Sequence, residues 1–167
     1  MTERFALKKI SKDGVEHAVE RAEHYRLLND PEQAESICLD ILAVDEDNPR
    51  ARITLILSLT DQFSGGGGSH AARRATDHVK KLRGEYEREY YAGVVAERQG
   101  RAHLAQGGMA RTFAYEGLHE AMLHYERADA LKPPSIDDPI LRWNDCVRTI
   151  MREDLHPRRD EPEMQLE

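Results

Sequence analysis

Two short turns divide the first part of the chain into segments with the apolar period of an α-helix. In residues 15–28 the apolar side chains recur three and four positions apart, which places them on one helical face. The Asn-Asp-Pro turn at residues 29–31 places Asp30 to cap a second helix, and the Asp-Asn-Pro turn at residues 47–49 places Asn48 to cap a third. Helices joined by so few residues pack antiparallel. The chain is therefore predicted to be all-α.

The segment at residues 49–63 is ambiguous, because its centre at residues 53–59, Ile-Thr-Leu-Ile-Leu-Ser-Leu, could form a buried strand. No second strand candidate is available to pair with it, and a lone strand leaves its backbone polar groups without partners. A helix is therefore favoured. Since this helix is apolar almost all round, neighbours are expected to bury it on two sides.

A run of four glycines interrupts the pattern at residues 64–69, and no regular element tolerates the entropy lost on ordering it. A flexible loop is predicted there, and the composition fits a natural loop and an engineered linker equally. Further helices are predicted at 71–84, at 85–106 with Gly107 and Gly108 as the stop, at about 112–131, and at 138–152 with Asp138 as the cap. The total is about seven helices, or eight if residues 3–10 form a short one.

Residues 15–48 resemble one copy of the tetratricopeptide repeat (TPR), a helix–turn–helix unit of about 34 residues. Four small or aromatic side chains stand at the tryptophan, glycine, tyrosine and alanine places of its signature: Ala18, Ala22, Tyr25 and Ala34. Three positions depart from the signature where it has leucine, an aromatic residue and proline: Arg21, Cys38 and Glu46. The second half of the signature recurs downstream as Ala121, Tyr125, Ala128 and Pro133.

The resemblance implies a short right-handed superhelix, or solenoid, of antiparallel helix pairs. It places a single domain at residues 1–153, with repeats at about 15–48, 49–87 and 88–135 and a closing helix at 137–152. The loops at 64–69 and 107–115 are then insertions between the helices of a repeat. The remaining residues, 154–167, carry proline and charge without periodicity, and a disordered tail is predicted for them.

Charge, cysteine content and hydrophobicity indicate which partners and which compartment to expect. The net charge of −7 disfavours a nucleic acid partner. Cys38 and Cys146 stand alone in the sequence, which indicates buried thiols rather than metal ligands or a disulfide. The first residues lack the apolar run of a secretory signal, and the longest apolar stretch is too short to cross a bilayer. We therefore expect a soluble, cytoplasmic protein with no membrane contact.

No sequence motif indicates an enzyme, a metal site or a cofactor. His119 and His124 are five residues apart, so on a helix they diverge by about 140° and do not match the zinc-protease motif. His17 and His24 are two turns apart, about 10 Å, which is too far for two ligands of one ion. The tyrosines at 86, 90 and 91, and Trp143, are expected to be packing residues.

In TPR proteins the first helices of successive repeats line a concave groove that holds a peptide or helix of another protein. The positions of this chain that match are Glu16, Val19, Glu23, Arg26, Arg50, Ile53 and Leu57. Burial of Ile53 and Leu57 against a neighbouring helix is the alternative for those two residues. The acidic pair Glu16 and Glu23 stands where some relatives have a clamp for a terminal carboxylate, so such a partner is disfavoured.

The function expected from the sequence is a non-enzymatic adaptor or scaffold of bacterial type that binds a segment of another protein. Two alternatives stay open. One is a chaperone of secreted substrates, and the other is a structural protein that self-assembles into homo-oligomers through the ends of the solenoid.

Overall fold

The computed structural model describes residues 4–159, and this part of the chain is all-α with no β-strand. The prediction of an all-helical protein is confirmed. The helices are α1 (Val15–Leu27), α2 (Pro31–Val44), α3 (Pro49–Thr60), α4 (Gly68–Lys80), α5 (Glu85–Gln106), α6 (Ala114–Leu131) and α7 (Asp138–Arg152). Two short 3-10 helices precede α1 and α6, at Lys12–Gly14 and Gly108–Phe113. Residues 4–11 contain no helix, so the optional eighth helix is not formed.

The two proline-marked turns form the helix caps that local chemistry predicts. An Oδ1 atom of Asp30 accepts a hydrogen bond from the backbone N–H of Gln33 at 3.2 Å. Asn48 Oδ1 accepts from the backbone N–H of Ala51 at 2.9 Å. At α7 the cap position is Asp137, one residue before the predicted Asp138, and its side chain makes no capping hydrogen bond.

The ambiguous segment is helix α3, and it is buried nearly all round. Leu55, Ile56 and Leu59 are inaccessible to solvent, and Ser58 satisfies its hydroxyl by donating to the backbone oxygen of Thr54 at 2.7 Å. The buried Arg52 donates to the backbone oxygen of Glu46 at 2.5 Å. Internal partners for these polar groups explain how a helix of mixed composition is buried.

The predicted loop at residues 64–69 is shorter in the structure, because α4 already begins at Gly68. A Cβ atom at position 68 would overlap the backbone oxygen of Phe63. The last glycine of the run is therefore required for a close approach of two backbone segments.

The chain forms two compact units, one up to Gly84 and one from Glu85 onward. In the first unit, α1 packs on α2 and α3, and α3 packs on α4. Its core includes Val15, Val19, Ile41 and Ala51. The single domain at residues 1–153 stays a prediction.

In the second unit, α5 and α6 pack closely and α7 packs on α6. Glycines make this approach possible, since a Cβ at Gly117 would lie 2.7 Å from the Cα of Gly100. Gly107 and Gly108 end α5 as predicted, with φ angles of 67° and 57° in the region that favours glycine. The 3-10 helix that follows delays the start of α6 to Ala114, two residues later than expected.

The predicted disordered tail begins at Asp154, and residues 160–167 of it lie outside the described part of the chain. Leu155 is buried, and its N–H donates to the backbone oxygen of Ile150 at 3.0 Å. Arg158 pairs with Glu116 at 3.2 Å. The tail as a whole stays a prediction.

Candidate functional site

Most of the predicted groove residues meet where α1 lies beside α3. Arg50, at the start of α3, forms a forked contact with Glu23, with Nε to Oε1 at 3.2 Å and Nη2 to Oε2 at 2.9 Å. Its Nη1 atom donates to Glu16 Oε1 at 2.6 Å. All three side chains are substantially exposed. One guanidinium therefore holds two carboxylates at the surface.

A second ion pair lies at the other end of the two helices. Arg26 Nε is 2.8 Å from Asp61 Oδ2, and both side chains are largely shielded from solvent. Asp61 directly follows the last residue of α3, whereas Arg50 is the second residue of that helix. Since the start of α3 contacts α1 near its start and the end of α3 contacts the end of α1, the two helices run parallel.

We call the surface built by Glu16, Glu23, Arg26, Arg50, Ile53, Leu57 and Asp61 the α1–α3 face. Ile53 and Leu57 are half-buried. They are therefore neither fully exposed, as in an open groove, nor fully buried against a neighbouring helix. Val19, by contrast, is 1% exposed and belongs to the core with Val15 and Ile41. The helix turns this side chain inward, and Val19 does not contribute to the surface.

The electrostatics of the α1–α3 face follow from its ion pairs. Two carboxylates oppose one guanidinium at one end, and Arg26 balances Asp61 at the other. The face therefore carries an excess of one negative charge. Oxygen atoms of Glu16 and Glu23 can accept hydrogen bonds from a cation, whereas an incoming carboxylate would be repelled.

The second unit contains a buried ion cluster where α5 lies beside α7. Glu97 is 1% exposed, and its Oε2 accepts from Arg142 Nη1 at 2.8 Å. The thiol of Cys146 donates to the other carboxylate oxygen of Glu97 at 3.4 Å. Arg142 Nε also donates to the hydroxyl of Tyr90 at 3.0 Å. The sequence analysis missed this cluster, although a lone carboxylate after Val-Val-Ala within a helix was a signal for it.

Burial sets the protonation of the thiol and the tyrosine hydroxyl in and beside this cluster. Burial raises the pKa of the Cys146 thiol well above its usual range, and the charge of Glu97 adds to the effect. Burial likewise raises the pKa of Tyr125, whose hydroxyl has no hydrogen-bond partner among the described residues. The thiol of Cys146 and the hydroxyl of Tyr125 are therefore held protonated at neutral pH.

An open cleft of about 330 Å³ lies between α6 and α7. We call it the α6–α7 cleft, and its lining residues are Tyr125, Glu126, Asp129, Pro139, Ile140, Trp143 and Asn144. Trp143 is 38% exposed, so it is not the fully packed residue that the sequence suggested. The cleft thus combines an aromatic and aliphatic lining with two acidic residues.

Among the four histidines singled out in the sequence, His119 and His124 have partners on neighbouring elements or on their own helix. His124 Nδ1 lies 2.8 Å from Glu89 Oε2, and the ring of His119 stacks on Tyr115 with 5.7 Å between ring centroids. Within residues 4–159 no three side chains of the metal-binding types converge on one point. In the same range no helix is both long and apolar enough to cross a bilayer.

Comparisons with known proteins add no relative. No protein-family model matches the chain, and no significant match was found among curated proteins or among solved structures.

Proposed function

We propose that this protein is a non-enzymatic interaction adaptor whose TPR-like helix pairs hold a segment of a partner protein on the α1–α3 face. The arrangement within each unit supports a repeat. In the first unit α1 and α3 run parallel with α2 between them in sequence. In the second unit α5 and α7 are also parallel, since Glu97 pairs with Arg142 and, further along both helices, Arg101 pairs with Asp145 at 2.5 Å.

The observation that carries the proposal is the exposed and internally braced α1–α3 face. Ion pairs fix both ends of the face, and Ile53 and Leu57 lie half-buried between them on α3. Because these side chains are already ordered by their mutual contacts, a partner would meet a surface with little entropy left to lose. The solvent-accessible parts of Ile53 and Leu57 supply apolar contact area.

The chemistry of the face defines the partner segment. Its excess negative charge favours a Lys or Arg side chain that approaches Glu16 and Glu23, next to an apolar side chain that covers Ile53 or Leu57. The selected partner is thus a short cationic and apolar segment rather than a terminal carboxylate. A chaperone of secreted substrates is the alternative that the sequence left open, and it would use the same face.

A display library of random peptides tests the proposal for any partner of this chemistry. We expect selection on the full chain to enrich sequences with a cation close to an apolar residue. In titrations, the double variant Glu16→Lys, Glu23→Lys is expected to bind the selected peptides at least tenfold more weakly, about 1.4 kcal/mol. Thermal unfolding of the variant should stay close to that of the wild type, since the altered side chains are exposed.

The matched control is Glu32→Lys, a charge reversal at an exposed position on α2. This variant should bind the selected peptides like the wild type. Selection without an enriched pattern, or equal affinity for the α1–α3 double variant and the control, would contradict the proposed site.

A further inference from the structure

The first described residues form an exposed apolar and basic segment. We call residues 4–9, Arg-Phe-Ala-Leu-Lys-Lys, the N-terminal arm. The side chains of Phe5 and Leu7 are 92% and 95% exposed. Ile10 packs against the core of the first unit and fixes the point at which the arm leaves it. Two large apolar side chains are thus presented to solvent next to three cations.

The α6–α7 cleft has the complementary chemistry. Trp143, Ile140 and Pro139 provide apolar surface, and its volume of about 330 Å³ lies in the range of ligand pockets. Glu126 is exposed and forms no ion pair with a described residue, and Asp129 has only a 4.0 Å contact with Lys132. The acidic residues of the cleft are therefore available to a cation.

We propose that the N-terminal arm of one molecule docks into the α6–α7 cleft of a second copy of this chain. Phe5 or Leu7 enters the cleft against Trp143, and the amino groups of Lys8 and Lys9 approach Glu126 and Asp129. The pairing removes a large exposed apolar side chain from water and compensates charges of both signs.

The acidic residues of the α6–α7 cleft favour binding of the N-terminal arm over binding of the other end of the chain. Residues 160–167, Asp-Glu-Pro-Glu-Met-Gln-Leu-Glu, carry four carboxylate side chains and no cation. Glu126 and Asp129 would repel such a segment. The arm carries three cations and no carboxylate, and Phe5 and Leu7 are the two most exposed large apolar side chains among residues 4–159.

The proposed contact joins two different surfaces, so it is heterologous and can repeat from molecule to molecule. Six residues bury far less than the roughly 1,200–2,000 Å² of a stable interface. We therefore expect weak association whose mean mass rises with protein concentration and falls with added salt.

Size-exclusion chromatography with light scattering on the full chain tests the proposal. The arm variant Phe5→Ser, Leu7→Ser and the cleft variant Glu126→Lys, Asp129→Lys should each stay monomeric where the wild type associates. An equimolar mixture of the two should form heterodimers, because the first supplies an intact cleft and the second an intact arm. The arm variant Lys8→Glu, Lys9→Glu should likewise pair with the cleft variant, both through the native contact and through the contact in which the charges of arm and cleft are reversed.

Matched controls are Met109→Ser, at an apolar side chain that is 87% exposed, and Glu120→Lys, at an exposed position on α6. Both should associate like the wild type. A wild-type chain that remains monomeric at every soluble concentration would overturn the proposal, as would a mixture that fails to restore association. Dissociation by the Glu16→Lys, Glu23→Lys variant but not by the cleft variant would assign the contact to the α1–α3 face instead.

Discussion

Gly93 on α5 lies directly against the ring of Tyr125 on α6. A Cβ atom at position 93 would be 2.6 Å from Cε1 of that ring, closer than side-chain carbon atoms approach one another. Tyr125 is fully buried, so its ring has little room to move away. A glycine within a helix here serves the packing of its neighbour.

The Gly93→Ala variant should therefore be destabilised even though alanine favours helix formation. We expect a loss of about 1–3 kcal/mol in the free energy of unfolding, the usual cost of overpacking a core. The gain in helix propensity of roughly 0.5–1 kcal/mol offsets part of it. Urea denaturation measures the difference. The control is Gly66→Ala, where a Cβ meets no atom within 4 Å, and unchanged stability of both variants would contradict the tight contact.

Local chemistry made the helix boundaries of the first unit predictable. Asp30 and Asn48 cap helices through contacts with residues three positions away, which a sequence displays directly. The start of α4 at Gly68 was not predictable in this way, because it depends on the approach to Phe63. The close contact between α5 and α6 was not predictable for the same reason. Position 93 requires glycine only because the ring of Tyr125, on another helix, lies opposite.

The candidate site was predictable in part. The resemblance to TPR proteins placed Glu16, Glu23 and Arg50 in one groove, but it did not reveal that the arginine would pair with both carboxylates. Val19 belongs to the same predicted groove set and is nevertheless buried, because the position of α3 determines which side of α1 is covered. The direction in which a helix faces its neighbour is a tertiary property that the spacing of residues does not contain.

The buried ion pair between Glu97 and Arg142 is expected to contribute to stability mainly through the cost of breaking it. The Glu97→Leu variant leaves the guanidinium of Arg142 without its counter-ion, and we expect a loss of about 3 kcal/mol, the lower end of the usual range. The lower end applies because the Arg142 side chain is partly exposed and also bonded to Tyr90.

A double-mutant cycle separates the interaction from the packing. The variant Glu97→Leu, Arg142→Met should be more stable than Glu97→Leu alone, since no unpaired buried charge remains. The control is the exposed pair of Asp47 and Arg83 in the first unit, where Asp47→Asn should change the urea midpoint little. Additive effects of the two substitutions in the cycle would contradict coupling between Glu97 and Arg142.

The position of His78 on α4 predicts a pH dependence of stability. Burial and the adjacent charge of Arg52 lower the pKa of His78 to about 4, with the ring Nδ1 atom 3.1 Å from Arg52 Nη1. Charges on Lys81 and Arg74 act in the same direction, and Asp77 opposes them. The folded protein therefore keeps this ring neutral at pH values where the unfolded chain, with a pKa of about 6.5, binds a proton.

The unfolded state is thus favoured as the pH falls from about 6.5 to about 4, and above this window the contribution of His78 is constant. Across the window, the unfolding free energy of the His78→Gln variant should fall less steeply with decreasing pH than that of the wild type. The difference in slope corresponds to at most one bound proton. Titration of the imidazole carbon resonance of His78 by NMR checks the cause. A midpoint near the value of a free histidine would contradict it.

Both cysteines should be unreactive in the native protein. Burial raises the pKa of Cys38 to about 12 and that of Cys146 above its usual range, and both thiols are inaccessible to solvent. Ellman's reagent is expected to label neither thiol within minutes in buffer and to label both in guanidinium chloride. The variant Met109→Cys supplies an exposed thiol as a positive control. Rapid labelling of the wild type in buffer would show that the cores open readily.

The three ion pairs of the α1–α3 face also set a limit on how this chain can change in length. Arg50 and Asp61 are eleven positions apart in the sequence, and Arg50 contacts Glu16 and Glu23 on α1 whereas Asp61 contacts Arg26 near the end of that helix. One residue inserted between them would turn the end of α3 by about 100° and shift it by about 1.5 Å, so the pairs of Arg50 and the pair of Asp61 could not both persist. Insertions at the glycine run after Phe63 leave all three pairs intact. Related chains should therefore differ in length at this loop and keep the interval from position 50 to position 61.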